Sequence, residues 1–172
     1  MPSQRLILGP RAVAEALKSK GRKVHTLFCD EEGAKNKEVA RLAESSGLRF
    51  EVREREELDA MAGDSRHQGL VAIAGEFEYC EVEDLIAETP APAFFVALDQ
   101  IQDPHNFGAI VRSAVAFGAD GIITMKDRAA PVTPVVVRAS AGATEHARIA
   151  RVTNLVRGLD MLKDQGLRVV GL

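Results

Sequence analysis

Short apolar runs alternate with helix-patterned segments along most of the chain, and this alternation limits the possible folds more than any other feature of the sequence. Apolar residues make up 46% of the 172 residues, which is enough to build a core for such elements. The first half is predicted to contain strands at 24–29, 48–52 and 69–74 and helices at 36–46 and 56–62. A chain of this kind is expected to adopt an α/β fold.

The alternation resumes at Ala93 in a form typical of a parallel sheet. Residues 94–98 are a continuous apolar run, which indicates a strand buried on both faces. A polar loop, a helix over 106–117 and a strand over 121–125 follow, and together they predict a βαβ unit. Further strands are expected at 147–152 and 167–172.

Residues 76–92 differ in composition from the segments on both sides. They contain many acidic residues, one weak helical pattern at Val82, Leu85 and Ile86, and a proline-rich stretch at 89–92. Prolines fix the backbone and charged segments are usually solvated, so these residues are predicted to form an interdomain linker. The predicted domains are therefore 1–75 and 93–172, joined by 76–92.

The charge and cysteine content narrow the classes of function. A net charge of -3 and a pI near 5.8 argue against a polycation that binds nucleic acid without selectivity, although a local basic surface is still possible. Cys29 and Cys80 match no metal or redox spacing, which indicates buried thiols in a reducing compartment. No apolar run approaches the length of a membrane span, so a cytoplasmic protein without membrane contact is expected.

The loop and helix start after the second-half apolar run contain the most unusual residues. Asp103-Pro104 is expected to fix a turn, Asn106 to cap the helix, and Gly108 to allow a ligand or another backbone to come close. Arg112 is a cation in an otherwise apolar helix and offers a planar fork suited to phosphate. On the residues alone, Asn106 could be only a cap and Arg112 only a surface side chain.

Residues 98–114, LDQIQDPHNFGAIVRSA, closely resemble the first signature motif of the SpoU/TrmH family of RNA ribose 2′-O-methyltransferases. That motif joins Asp-Pro-x-Asn-x-Gly to an arginine six residues after the asparagine. Three later segments also resemble family segments in the same order, at 126–128, 139–145 and 152–155. Residues 9–17 and 67–72 are similar to the two ends of the small RNA-binding domain that many members carry.

This resemblance implies a ribosomal-protein-like α/β RNA-binding domain followed by the first part of an α/β-knot parallel-sheet domain. It also implies S-adenosylmethionine as methyl donor, ribosomal RNA as substrate, a homodimer and no metal. Within the family, the resemblance is closest to enzymes that methylate a guanosine ribose in large-subunit ribosomal RNA. The family's catalytic asparagine and arginine correspond to Asn106 and Arg112. The motifs that form most of the knot and the cofactor pocket are expected beyond Leu172, so the chain alone is expected to be inactive.

An RNA substrate gives several other polar residues candidate roles. His67 and Gln68 are expected to contact RNA, with a structural role as the alternative. Arg138 and Arg148, together with Arg151, are expected to form a basic face near the catalytic loop unless they are only solvated helix charges. Glu145 is expected to pair with Arg112 or with an RNA-facing arginine, or else to be a plain surface carboxylate.

Two functions remain open from the sequence. In a methyltransferase, Arg112 would at least orient a phosphate and the ribose hydroxyl. Arginine is normally protonated, so a base role is chemically demanding, and it stays open for the state in which the RNA backbone is bound. The alternative is a non-catalytic RNA-binding module of the same fold. No G-x-G-x-x-G follows the apolar run at 94–98, which argues against a dinucleotide-binding oxidoreductase.

Overall fold

The computed structural model describes residues 4–19 and 24–171. Within them the strands are β1 (Gln4–Leu8), β2 (Val24–Cys29), β3 (Phe50–Val52), β4 (Leu70–Gly75), β5 (Phe95–Ala97), β6 (Gly121–Met125) and β7 (Ile149–Val152). The helices are α1 (Pro10–Lys18), α2 (Lys37–Ser45), α3 (Arg55–Ala62), α4 (Val82–Ala87), α5 (Pro104–Ala116), α6 (Pro134–Ala139) and α7 (Leu155–Asp164). We call residues 4–75 the first lobe and residues 76–171 the second lobe.

The first lobe is a mixed four-stranded sheet in the order β1-β4-β2-β3, with helices on both faces. Only β2 and β3 are parallel. Side chains of β4 alternate between the two faces, so that Ala72 packs with α1 and α2 while Val71 packs with Leu58 of α3. The sequence did not signal β1, which is a short strand at one edge of this sheet.

The second lobe contains a parallel sheet in the order β5-β6-β7. Ile122 of β6 packs on the side of α5 and α6, and Ile123 packs on the side of α4 and α7. The α/β class and the parallel second sheet that the sequence predicts are therefore confirmed.

Two predictions about strands of the second lobe are wrong. The strand buried on both faces is β6, whereas β5 lies at an edge of the described sheet and Phe94 just before it is 48% exposed. Residues 167–171 form no strand, because no described strand flanks them for pairing, and Leu172 lies outside the described residues. Leu167 packs beside α7 while Val170 is 74% exposed.

The segment 76–92 is more structured than a solvated connector, so that interpretation is wrong for its apolar positions. It contains α4, and the side chains of Val82 and Leu85 are buried against the second sheet. The backbone of Cys80 forms an isolated parallel β-bridge with that of Ala150 in β7. The acidic residues of α4 remain exposed, because they lie on the face away from the sheet. The domain limits at 75 and 93 stay a prediction.

The two lobes share buried contacts. Val137 of α6 is fully buried in the core of the first lobe. A Cβ atom placed on Gly142 would lie 2.9 Å from the Ala12 Cα of α1, so the two backbones approach closely there. Gly142 has a φ of 85°, a conformation that glycine adopts without strain. These contacts place α6 between α5 and the first sheet.

Candidate functional site

The first turn of α5 is capped by Asp103. Its Oδ1 accepts a hydrogen bond of 2.7 Å from the backbone N–H of Asn106, and Pro104 occupies the first helical turn. The prediction that Asn106 is the cap is therefore wrong, because the aspartate three residues earlier satisfies this donor. The Asn106 side chain is exposed and makes no hydrogen bond within the described part of the chain, so it is free to contact a ligand.

Gly108 allows α5 and α6 to pack closely. A Cβ atom there would lie 2.5 Å from the Cβ of Ala139 and 2.9 Å from the carbonyl oxygen of Val136. The close approach expected at Gly108 is thus made by another backbone, that of α6. Arg112 follows Gly108 by four residues and therefore lies on the same side of α5.

A pocket of about 460 Å³ lies between the two lobes and is lined by arginines from both of them. Arg112 of α5 and Arg138 of α6 come from the second lobe, and Arg11 and Arg66 come from the first. We call this the arginine pocket. Arg112 is exposed and has no ion pair or hydrogen bond to the described residues, which distinguishes it from a paired structural charge. Four guanidinium groups around one pocket favour a polyanionic ligand.

Asp64 joins two of these arginines. Its carboxylate accepts hydrogen bonds from Arg66 Nε at 2.9 Å and Arg66 Nη2 at 3.0 Å, and from Arg138 Nη1 at 2.5 Å. The hydrogen bonds from Arg66 and then from Arg138 hold the pKa of Asp64 well below its usual range. Asp64 connects the first lobe to α6 through Arg138, beside the pocket.

His67 and Gln68 have different environments although they are adjacent. The His67 ring is fully buried, accepts a 3.1 Å hydrogen bond from the Gly69 N–H at Nδ1, and has Nε2 2.9 Å from Asp59 Oδ1. Both ring nitrogens are occupied, which favours the structural alternative for His67. Gln68 is exposed and lines the arginine pocket, in a turn where its φ is 51°.

Glu145 pairs neither with Arg112 nor with an arginine that faces an RNA surface, and it is not a surface carboxylate, so all three interpretations are wrong. Its side chain is fully buried and accepts two hydrogen bonds from the Arg5 guanidinium, at 2.7 and 2.5 Å. The parallel pair of bonds matches the guanidinium fork, so the two side chains form a bidentate pair. Since Arg5 lies on β1, this buried pair is another connection between the lobes.

Arg148 and Arg151 do not form a basic face with Arg138. Arg148 makes a 2.7 Å ion pair with Glu88 and so contacts the segment just after α4. The Arg151 guanidinium lies 4.7 Å from the centre of the Tyr79 ring, and its Nη2 donates to the carbonyl oxygen of Lys126. Each of these arginines is thus satisfied within the second lobe.

The structure brings Arg112, Arg138 and Gln68 together, and adds Arg11 and Arg66, which the sequence analysis missed. Neither arginine carries a distinguishing signal in the sequence, because only the fold places them opposite α5. Asn106 is not part of the arginine pocket. It precedes Arg112 by six residues, which is about 9 Å along a helix and a different face.

The carboxyl ends of β6 and β7, where parallel sheets usually bind ligands, surround a pocket of only about 180 Å³. Charged side chains line much of it, including Glu81, Lys126, Arg151 and Arg157. Pockets for molecules the size of S-adenosylmethionine are mostly apolar and about 300–1,000 Å³. The described residues do not form a site that fits this cofactor at the sheet edge.

The described residues contain no cluster of side chains suited to a metal ion, and none of their helices is both long and apolar enough to cross a membrane. Cys29 is buried and Cys80 half-buried, and burial raises the pKa of both thiols.

Comparison with known proteins identifies the family. Residues 93–172 match the model of the SpoU rRNA methylase family, and residues 6–80 match that of the RNA 2′-O ribose methyltransferase substrate-binding domain. YacO of Bacillus subtilis (strain 168), whose name assigns it to the TrmH family of tRNA/rRNA methyltransferases, is 42% identical over 170 residues; the match covers 96% of this chain and 68% of YacO. The chain belongs to the SpoU/TrmH family.

Solved structures agree with this assignment. The SpoU methyltransferase AviRb of Streptomyces viridochromogenes, in complex with the cofactor AdoMet, superposes with a TM-score of 0.73 at 23% identity, over 95% of this chain and 60% of AviRb. An AdoMet-bound rRNA methyltransferase of Sinorhizobium meliloti gives 0.70 at 29% identity, over 91% of this chain and 58% of that protein. This member of the SpoU/TrmH family thus spans about three fifths of each solved relative.

Proposed function

We propose that this SpoU/TrmH chain is part of an enzyme that transfers a methyl group from S-adenosylmethionine to a ribose 2′-oxygen of RNA. The single observation that carries the proposal is the exposed, unpaired Arg112 in the arginine pocket, on the helix that begins with the family motif. The name of the matching substrate-binding family supports ribose as the acceptor. The AdoMet in the two solved relatives supports the donor.

The reaction is accelerated by a cation close to the ribose. A 2′-hydroxyl is a poor nucleophile and must lose its proton as it attacks the methyl group. A guanidinium that holds the adjacent phosphate and hydroxyl stabilises the developing alkoxide. Arg112 can supply this interaction because no described carboxylate neutralises it. Arg138 and Gln68 would hold the neighbouring backbone of the RNA. Asn106, at the start of α5, would contact the substrate from outside the arginine pocket.

The finer assignment follows the sequence resemblance. The proposed substrate is a guanosine ribose in large-subunit ribosomal RNA, and the proposed active form is a cytoplasmic homodimer. Two unpaired cysteines support a reducing compartment.

A non-catalytic RNA-binding module is the second candidate. The arginine pocket favours it, because that pocket is formed by the described residues whereas a cofactor site is not. Both candidates require RNA binding, and only the first requires methyl transfer.

The test is methyl transfer by the complete protein to ribosomal RNA, with labelled S-adenosylmethionine and mapping of 2′-O-methylation. Label on a guanosine ribose of the large-subunit RNA is expected. Label found only on a base would contradict ribose as the acceptor. RNA binding without label would favour the non-catalytic module.

A further inference from the structure

Asp64 occupies an unusual position, since it is a carboxylate that joins two cations of a pocket suited to anions. Arg66 donates to both of its oxygens, and Arg138 donates to Oδ2 from the other lobe. A phosphate group accepts the same forked hydrogen bonds from guanidinium groups. The two remaining cations of the pocket, Arg11 and Arg112, have no carboxylate partner among the described residues.

We propose that Asp64 holds, in the RNA-free protein, the place that an RNA backbone phosphate takes between Arg66 and Arg138. The inference rests on the proposed function in one respect, namely that the substrate is RNA. A phosphate that replaces Asp64 would bridge the first lobe and α6, as the carboxylate does now. The bound backbone would then extend from Arg66 and Arg138 toward Arg112.

The exchange is physically accessible. The Asp64 side chain is 18% exposed and that of Arg66 is 69% exposed, so water and phosphate can reach the pair. The Asp64–Arg138 pair is more enclosed, with side chains 18% and 20% exposed, so a phosphate must replace the carboxylate contact rather than merely break it. Gly63, directly before Asp64, is surrounded by open space, which leaves room for the turn to shift.

Arg138 also has donor capacity that Asp64 does not use. Its Nη2 atom is buried and has no hydrogen-bond partner among the described residues, so the guanidinium uses only part of its donor capacity in the RNA-free state. The lobes need not separate during the exchange, because the Arg5–Glu145 pair and the buried Val137 hold them elsewhere.

The exchange has a consequence for selectivity. With Asp64 in place, the pocket offers two unpaired arginines rather than four, so unspecific attraction of RNA is reduced. Only an RNA that places a phosphate between Arg66 and Arg138 can bind these two arginines as well, because the phosphate must displace Asp64 from them. Asp64 therefore lowers the affinity for RNA in general and increases the discrimination between RNA shapes.

The experiment compares RNA binding by variants of the 172-residue chain. Asp64→Asn removes the charge while keeping the size of the side chain, and Asp160→Asn is the matched control because Asp160 pairs with Lys163 on the exposed face of α7. The probe is a fluorescein-labelled ribosomal RNA hairpin, titrated at several salt concentrations without methyl donor. Asp64→Asn is expected to bind about three- to tenfold more tightly than wild type, with a steeper dependence on salt. Asp160→Asn is expected to remain close to wild type.

Arg66→Gln tests the same proposal by removing a cation instead of the carboxylate. Its binding is expected to be weaker than wild type and its salt dependence shallower, since one phosphate contact is lost. Equal binding by Asp64→Asn and Asp160→Asn, weaker binding by Asp64→Asn, or no binding by any folded variant would overturn the proposal. Because no methyl donor is present, a failed methylation assay leaves these results intact. If the complete protein methylates RNA but Asp64→Asn binds RNA as wild type does, only this inference is overturned and the proposed function stands.

Discussion

Arg112 is the residue whose loss separates catalysis from binding. In the complete enzyme, Arg112→Ala is expected to lower single-turnover methylation on the order of a hundredfold, because it removes an interaction that strengthens as the alkoxide develops. RNA affinity is expected to fall much less, because Arg11, Arg66 and Arg138 still line the pocket. Single-turnover rates and RNA binding measured on the same preparation check both effects.

Two further variants control this prediction. Arg112→Lys is expected to restore little activity, since an ammonium group cannot reproduce the planar fork. Arg41→Ala removes an exposed arginine of α2 and is expected to leave the rate unchanged. A near wild-type rate for Arg112→Ala would contradict the catalytic assignment and leave Arg112 as a surface residue.

The buried pair of Arg5 and Glu145 is a matter of stability. Glu145→Ala leaves the Arg5 guanidinium, whose side chain is 8% exposed, without its counter-charge. Removing one partner of a buried pair costs about 3–5 kcal/mol, and that loss in the free energy of unfolding is expected here. Urea denaturation of the 172-residue chain measures it. Glu88→Ala, which breaks the exposed pair with Arg148, should cost less than about 1 kcal/mol. Similar costs for the two variants would contradict a structural role for Glu145.

At the scale of elements, the contact between α5 and α6 sets the distance between the pocket's cations. Gly108→Val is expected to force the two helices apart, because its Cβ alone would lie 2.5 Å from the Ala139 Cβ. We expect a loss of about 1–3 kcal/mol in the free energy of unfolding, together with weaker RNA binding. Denaturation and hairpin titration check the two effects.

The sign of the effect makes this test specific. In an uncrowded helix, replacing glycine usually stabilises the protein. Gly171→Ala, at a position with open space around it, is expected to change neither stability nor binding. A Gly108→Val variant with unchanged stability would show that α5 and α6 do not pack as described.

Most elements could be predicted from the sequence because their signals are local. Gly108 shows how far such signals extend: the sequence indicated a close approach, and the structure identifies α6 as the partner. The interior of the site was less accessible. Glu145 pairs with Arg5, which lies 140 residues away in the sequence, and Arg138 pairs with Asp64, which lies 74 residues away. No local pattern ranks the available arginines as partners, so these pairs emerge only when the lobes pack.

At the scale of the whole molecule, the 172-residue chain is expected to bind S-adenosylmethionine negligibly. The sheet edge offers only a pocket of about 180 Å³, which is too small for this cofactor. Isothermal titration calorimetry should therefore give no saturable heat, while the same sample binds the RNA hairpin. Tight stoichiometric binding of S-adenosylmethionine would contradict this expectation and indicate a site elsewhere on the chain.

The burial of Val137 in the core of the first lobe sets a rule for building chimeras between relatives. An exchange of RNA-reading lobes that cuts only at the sequence boundary would graft one protein's β1 and α1 onto another protein's α6. The core of the transplanted lobe would then contain the other protein's residue at position 137, and Arg5 would pair with the other protein's residue at position 145. A graft that keeps these contacts must carry residues 132–146 along with residues 4–75, so the unit to exchange is discontinuous in sequence.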